Sequence, residues 1–170
     1  PNSSAYACLF FGALAAGIVP LPASSQLTVE EAGFLLDDSG ARAIAIADEF
    51  DMSTGDAMRF TSDDIAEMIT YARTVDYAAT RADDPGYLVY TSGTSGTPKG
   101  VLHAHRAAWG RRPMYQGWYG ISGDDVVLHA GAFNWTYTLG VGLTDPWANG
   151  ATTVLRSEER RVGAETRSWW

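Results

Sequence analysis

The sequence predicts an α/β fold, with helices layered on short strands, and three observations carry that expectation. Helical stretches alternate along the chain with short runs of aliphatic and β-branched residues. Helix-opening Ser/Thr residues and helix-closing glycines bracket those stretches. A loop of glycines and hydroxyl residues at positions 91–100 has strand-like runs on both sides.

The elements follow in order. Residues 4–16 form an apolar helix, and residues 18–21 a short buried strand ended by Pro22. Thr28-Val29-Glu30-Glu31 is a capping box that opens a helix through Leu36, with Gly40 as its C-cap. Residues 43–47 supply another buried strand, and the helix–strand–helix–strand order predicts a parallel sheet. Residues 48–59 lack periodicity and are expected to be a loop. Thr61 or Ser62 caps a helix through about Tyr71, with Ile65, Met68 and Ile69 on one face. Asp63, Asp64 and Glu67 sit near its N-terminus, where the helix dipole favours negative charge, so they stabilise the helix and are not assigned to a metal. Residues 87–90 and 101–104 are the strands around the loop, residues 106–116 a basic amphipathic helix, and residues 126–128 the next strand.

Composition excludes several functions. A formal net charge of -8 argues against nonspecific nucleic-acid binding. No apolar run reaches membrane-spanning length, and residues 5–22 contain glycine and proline without a basic leader. Cys8 is the only cysteine, which excludes an internal disulfide or a cysteine-rich zinc site and suits a reducing, cytoplasmic compartment.

Lys99 is the only lysine, and it closes the loop Tyr90-Thr91-Ser92-Gly93-Thr94-Ser95-Gly96-Thr97-Pro98-Lys99-Gly100. Glycines at 93, 96 and 100 let backbone N–H groups approach an anion. Thr91, Ser92, Thr94, Ser95 and Thr97 add hydroxyl donors, and Lys99 a compact mobile cation. The loop is therefore expected to grip a polyphosphate. The common nucleotide-triphosphatase loop has Gly before the lysine and Ser or Thr after it, whereas Pro98 and Gly100 stand here. A flexible surface turn of the same composition would not need a strand on either side.

Residues 91–100, with Val101 and the His105-Arg106 pair, resemble the signature loop of the AMP-forming adenylate synthetases: acyl-CoA synthetases, peptide-synthetase adenylation domains and luciferases. Asp83-Asp84-Pro85-Gly86-Tyr87, residues 13–22 and residues 149–155 extend the resemblance over most of 1–155. It implies a layered α/β piece of the large N-terminal domain, incomplete at both ends. It also implies a ligase that activates a carboxylate with ATP, releases pyrophosphate, and passes the acyl group to a thiol, usually coenzyme A. By position, Thr91, Ser92, Gly93, Thr94, Ser95, Gly96, Thr97 and Lys99 would hold the β- and γ-phosphates, with Lys99 the catalytic cation. Magnesium is implied too, with its ligands in motifs this sequence does not contain. The isolated chain is accordingly expected to be inactive.

The same resemblance places an acyl pocket at Phe133, Asn134 and Trp135. Trp135 stands where many relatives have histidine, which favours a small or aromatic acid over a long fatty acid. The period-two spacing of Phe133, Trp135 and Tyr137 equally describes one face of a half-buried strand. His103 and His105 are expected to pack at the strand exit and Arg111-Arg112 to be solvated. Residues 156–163 resemble a translated sequencing adapter, so 1–155 are expected to be the domain and 156–170 a non-native or disordered tail. An adenylation domain loading a carrier protein, and a noncatalytic ATP-binding module, are the alternatives to an acyl-CoA synthetase.

Overall fold

The computed structural model describes residues 2–48, 50–71, 76–92 and 97–156. The chain divides into two compact units, Cys8–Arg106 and Pro1–Ala7 with Ala107–Trp170.

Helix α1 (Ser4–Ala15) ends where Gly17 takes a left-handed conformation (φ 71°) and the Ile18 N–H donates back to the Ala13 carbonyl at 2.8 Å. The strand expected at residues 18–21 does not form: Ile18 and Val19 are exposed. Pro20 and Pro22 lack the N–H groups a ladder needs, and the segment makes one strand-like bond, from Leu88 N–H to Pro20 O at 3.0 Å.

Helix α2 (Val29–Ser39) begins with the expected capping box. Thr28 Oγ1 accepts from Glu31 N–H at 3.2 Å, and Glu31 Oε2 accepts from Thr28 N–H at 2.8 Å. Gly40 closes it at φ 63°. The strand after it is shorter and less buried than expected: β1 (Ala43–Ala45) alternates exposed and half-buried residues. Among the described residues its one strand partner is β2 (Met58–Phe60), in parallel, which begins inside the segment expected to be a loop and ends one residue past it. Among the described residues β1 belongs to a two-stranded sheet, with Ala43 and Ala45 exposed and Ile44 half-buried.

Helix α3 (Ser62–Thr70) is capped by Thr61, not Ser62, with Asp64 completing a second capping box. Met68 and Ile69 are exposed and Ile65 is half-buried, so its apolar face is only partly covered among the described residues. Strands β3 (Pro85–Thr91) and β4 (Lys99–Ala104) pair antiparallel. The seven residues between them allow a hairpin and no crossover helix, so the parallel order expected for residues 18–47 does not extend to this pair. At the start of this hairpin, a Cβ on Gly86 would lie 3.0 Å from His105 N and 3.1 Å from Ala104 C, so the two segments touch backbone to backbone.

The helix expected over 106–116 is broken into α4 (Arg106–Gly110) and α5 (Arg112–Met114), followed by a π-turn, Tyr115–Tyr119. Pro113 removes an interior N–H and breaks the helical ladder. In the second unit, β5 (Val126–Leu128) pairs in parallel with β6 (Thr152–Val154). Between them runs one long helical segment: α6 (Thr136–Leu139), a π-turn (Gly140–Thr144) and α7 (Asp145–Ala148). Leu139 and Leu143 are fully buried on it and form the centre of this unit with Phe133 and Ile121. The half-buried strand considered for Phe133, Trp135 and Tyr137 is absent. Backbone groups there are satisfied by a side chain from the far end of the sequence: Asn2 Nδ2 donates to Gly131 O at 2.8 Å, and Asn2 Oδ1 accepts from Phe133 N–H at 3.0 Å.

Candidate functional site

The β3–β4 hairpin puts the two ends of the glycine-rich loop side by side. Thr91 pairs with Lys99 and Tyr90 with Gly100, and Thr91 Oγ1 donates to Lys99 O at 3.5 Å. Thr91, Ser92, Thr97 and Lys99 are all exposed. Gly93, Thr94, Ser95 and Gly96 lie outside the described residues. The loop mouth thus presents three hydroxyl side chains and one ammonium to solvent, groups that donate to an anion at no desolvation penalty from the interior.

Beneath the mouth the hairpin is fixed by aromatic side chains. A Cβ on Gly100 would lie 3.2 Å from Leu88 Cδ1 and 3.3 Å from Tyr90 Cζ, so the tyrosine ring occupies the place a larger residue would need. The Tyr90 hydroxyl donates to Asp38 Oδ2 at 2.6 Å, and the ring meets Phe34 edge-on at 6.3 Å. Desolvation, followed by this bond and the Asp38 charge, pushes the Tyr90 hydroxyl up to about 12. Further along the hairpin, His103 stacks on Tyr87 with ring centroids 4.5 Å apart and 7° between planes. Burial lowers the His103 pKa. The ring is packed as expected, and no group of three or more His, Cys, Asp or Glu among the described residues could hold a metal ion.

The second candidate region belongs to the other unit. Phe133, Asn134 and Trp135 are consecutive on one turn but diverge. Phe133 is buried against Tyr6, with ring centroids 5.6 Å apart. The Tyr6 hydroxyl donates to the Phe133 carbonyl at 3.2 Å, and burial raises its pKa. Asn134 is half-buried, with its Oδ1 enclosed and lacking a hydrogen-bond partner. Trp135 is 61% exposed and Tyr137 52%. His129 accepts from Gly131 N–H through Nδ1 at 3.1 Å and meets the Tyr137 ring at 5.9 Å, so it packs behind the same turn.

Arg111 departs from expectation. It is not solvated: Nε donates to Asp145 Oδ1 at 2.7 Å and Nη2 to Asp145 Oδ2 at 2.6 Å, while Asp145 is fully buried. Nη2 also donates to the Tyr119 hydroxyl at 3.3 Å. Gly140 makes room, because a Cβ there would overlap the guanidinium. Arg112 behaves differently, lying over the Trp109 ring at 4.0 Å. Sequence reasoning missed this pair, although one signal was present: Asp145 is the only formally charged residue between Asp125 and Arg156.

The chain matches the family described as AMP-binding enzyme over residues 1–169. It is 35% identical to a 4-hydroxybenzoate–CoA/benzoate–CoA ligase of Rhodopseudomonas palustris, over 88% of this chain and 31% of the relative. It is 32% identical to a benzoate–CoA ligase of Thauera aromatica, again over 88% and 31%. It superimposes on a solved benzoate CoA ligase from Burkholderia xenovorans LB400 with a TM-score of 0.82 and 30% identity, over 92% of this chain and 34% of that one. The chain thus spans about a third of the length of these relatives. Loop, hairpin and match together establish that the chain belongs to the AMP-binding enzyme family.

Proposed function

We propose that the protein works in an ATP-dependent acid–thiol ligase that makes an aryl- or short acyl-CoA. A carboxylate oxygen attacks the α-phosphorus of ATP, and the bond to the β-phosphate oxygen breaks. Pyrophosphate leaves, and an acyl-adenylate remains. The thiolate of coenzyme A then attacks the acyl carbon, forming the thioester and releasing AMP. Negative charge accumulates on pyrophosphate in the first step, and a positioned ammonium with hydroxyl donors stabilises that charge.

The observation that carries this proposal is the loop mouth, where Thr91 and Lys99 are paired across the hairpin and exposed beside Ser92 and Thr97. Within this family such a mouth suits the β- and γ-phosphates. Lys99 neutralises the leaving charge, the hydroxyls of Thr91, Ser92 and Thr97 orient the phosphate oxygens, and Gly93, Thr94, Ser95 and Gly96 complete the loop. Magnesium would accompany ATP as its counter-ion and adds charge neutralisation there. The described residues offer no cluster of ligands for it, and no step here depends on one.

Coenzyme A is the thiol of this proposal because the relatives named above are CoA ligases. Their names, and the exposed indole of Trp135 beside Asn134, support an aromatic or short acid. A cytoplasmic location goes with the single cysteine and the nucleotide substrates, and no described helix is long and apolar enough to cross a membrane.

The test is pyrophosphate release by the full-length gene product with ATP, coenzyme A and a panel of benzoates and short aliphatic acids, wild type against Lys99→Ala. Acid-dependent release that falls about 100-fold or more in the variant supports the proposal. Release indifferent to Lys99, or none with any acid, overturns it.

A further inference from the structure

The helical segment from Thr136 to Ala148 carries one residue more than an α-helix would hold in its middle turn. The Asp145 N–H donates to the Gly140 carbonyl, five residues back, across the Gly140–Thr144 π-turn. Arg111 touches both ends of this turn. Its guanidinium lies against the bare Cα of Gly140 at the start and holds both carboxylate oxygens of Asp145 at the finish. Asn149 Nδ2 donates to the Asp145 carbonyl at 2.7 Å, which ties down the helix beyond it.

A fully buried aspartate is a poor device for stability alone, since apolar residues could fill the same volume without desolvating a charge. What the planar two-toothed contact adds is direction. An extra residue in the turn changes the rotational phase of everything before it by roughly 100° about the helix axis. In the present phase Thr138 and Leu139 are buried, while Trp135 and Tyr137 face outward. Relaxation of the turn to α would redistribute those positions.

We propose that the Arg111–Asp145 pair is a positioning device that locks the π-turn and so sets which side chains, Trp135 and Tyr137 in the native phase, form the wall presented to the acid. The pair does not touch the acid. It fixes acid selectivity through the helix phase and leaves ATP handling alone. This rests on the ligase proposal, in which the turn at residues 133–135 belongs to the acyl pocket.

The test compares full-length wild type with Arg111→Met/Asp145→Leu, in which no charge is left unpaired, and with a deletion of Val141, which removes the extra residue directly. Expected is a shift of about tenfold or more in the ratio of kcat/KM for benzoate to that for acetate, in the same direction in both variants, with KM for ATP changed less than about twofold. Arg111→Lys, which keeps the charge and loses the fork, is expected to fall between. An unchanged acid ratio in folded variants overturns the proposal, whatever happens to overall rate. Wild type inactive with every acid overturns the ligase proposal instead. The phase lock is then decided by amide hydrogen exchange at Leu143, Thr144 and Asp145, expected to quicken at least tenfold in Arg111→Met/Asp145→Leu. Unchanged exchange overturns the lock, and should one variant fail to fold, the other and Arg111→Lys still decide the outcome.

Discussion

Gly140→Ala is the most discriminating change to make in this molecule, because three effects of known sign meet at one atom. Gly140 has ordinary helical angles (φ -63°, ψ -68°), so alanine suits its backbone and by propensity alone would gain about 1 kcal/mol. The added Cβ, however, would overlap the Arg111 guanidinium. Displacing Arg111 leaves Asp145 fully buried and unpaired, and breaking a buried pair in this way costs about 3–5 kcal/mol. The difference predicts a net loss of about 2–4 kcal/mol. The sign must then reverse when the pair is gone: in an Arg111→Ala/Asp145→Asn background, Gly140→Ala should be neutral or stabilising by up to about 1 kcal/mol. Urea unfolding of the four combinations, followed by tryptophan fluorescence, gives the cycle. A loss of the same size in both backgrounds would refute the reasoning, since the cost would then come from some neighbour other than Arg111.

Other expectations can be checked with the same assays. Thr28→Ala removes the acceptor for Glu31 N–H and should cost about 1 kcal/mol, with little effect on activity. Tyr90→Phe loses the 2.6 Å bond to Asp38; because the pair is solvent-exposed, unfolding should show a loss of only about 0.5–1 kcal/mol, while KM for ATP should rise if the ring steadies the loop base. Burial depresses His103 below its ordinary 6.5, so the unfolded chain binds a proton at a higher pH than the folded chain does. Stability from this group is therefore fully present above about 6.5 and is lost as pH falls through the depressed folded pKa. His103→Phe, which keeps a ring against Tyr87, should flatten that part of the stability profile between pH 7.5 and 5.

What could be read from the sequence follows from how far apart the interacting residues stand. The capping box at Thr28 closes over three residues and was legible, down to Gly40 as a C-cap; at the next helix start the sequence offered Thr61 or Ser62, and the box from Thr61 to Asp64 decides for Thr61. The loop at 91–100 could be proposed as a phosphate site from the sequence because an anion site made of glycines, hydroxyls and one lysine is written contiguously. Strand burial was not legible: residues 43–47 look like a buried strand by composition, but burial depends on what packs over the sheet, and among the described residues Ala43 and Ala45 of β1 stay exposed. A parallel sheet was expected from the order of residues 4–47, but its strand at 18–21 does not form, and β1 pairs in parallel with β2, most of which was expected to be loop; for the two strands around the glycine-rich loop, loop length decides on an antiparallel hairpin. The break at Pro113 was present in the letters and was overridden by the basic amphipathic pattern around it. The Arg111–Asp145 pair spans 34 positions and depends on a missing Cβ at a third residue, which no local pattern encodes.

That contrast bears on how specificity and rate are divided in such an enzyme. Phosphate contacts use backbone N–H groups, hydroxyls and one ammonium, all generic toward any nucleoside triphosphate, and they can be held in ten consecutive residues. Contacts to the acid must be shaped by side chains brought together from separate elements, and in the proposal above the segment that would carry them holds a π-turn with a buried ionic brace. Substitution at Lys99 should therefore slow every acid alike, lowering kcat in common because the lost stabilisation acts on pyrophosphate. Substitution at Trp135 should rank the acids anew, through KM and through kcat/KM ratios, with the ATP dependence left in place. Truncation to Trp135→Ala is expected to improve larger aromatic or longer acids relative to acetate by about tenfold, the effect of one or two methylenes' worth of pocket contact. If Trp135→Ala instead lowered all acids equally, the indole would be a structural cover of the helix start and the acid wall would have to lie elsewhere.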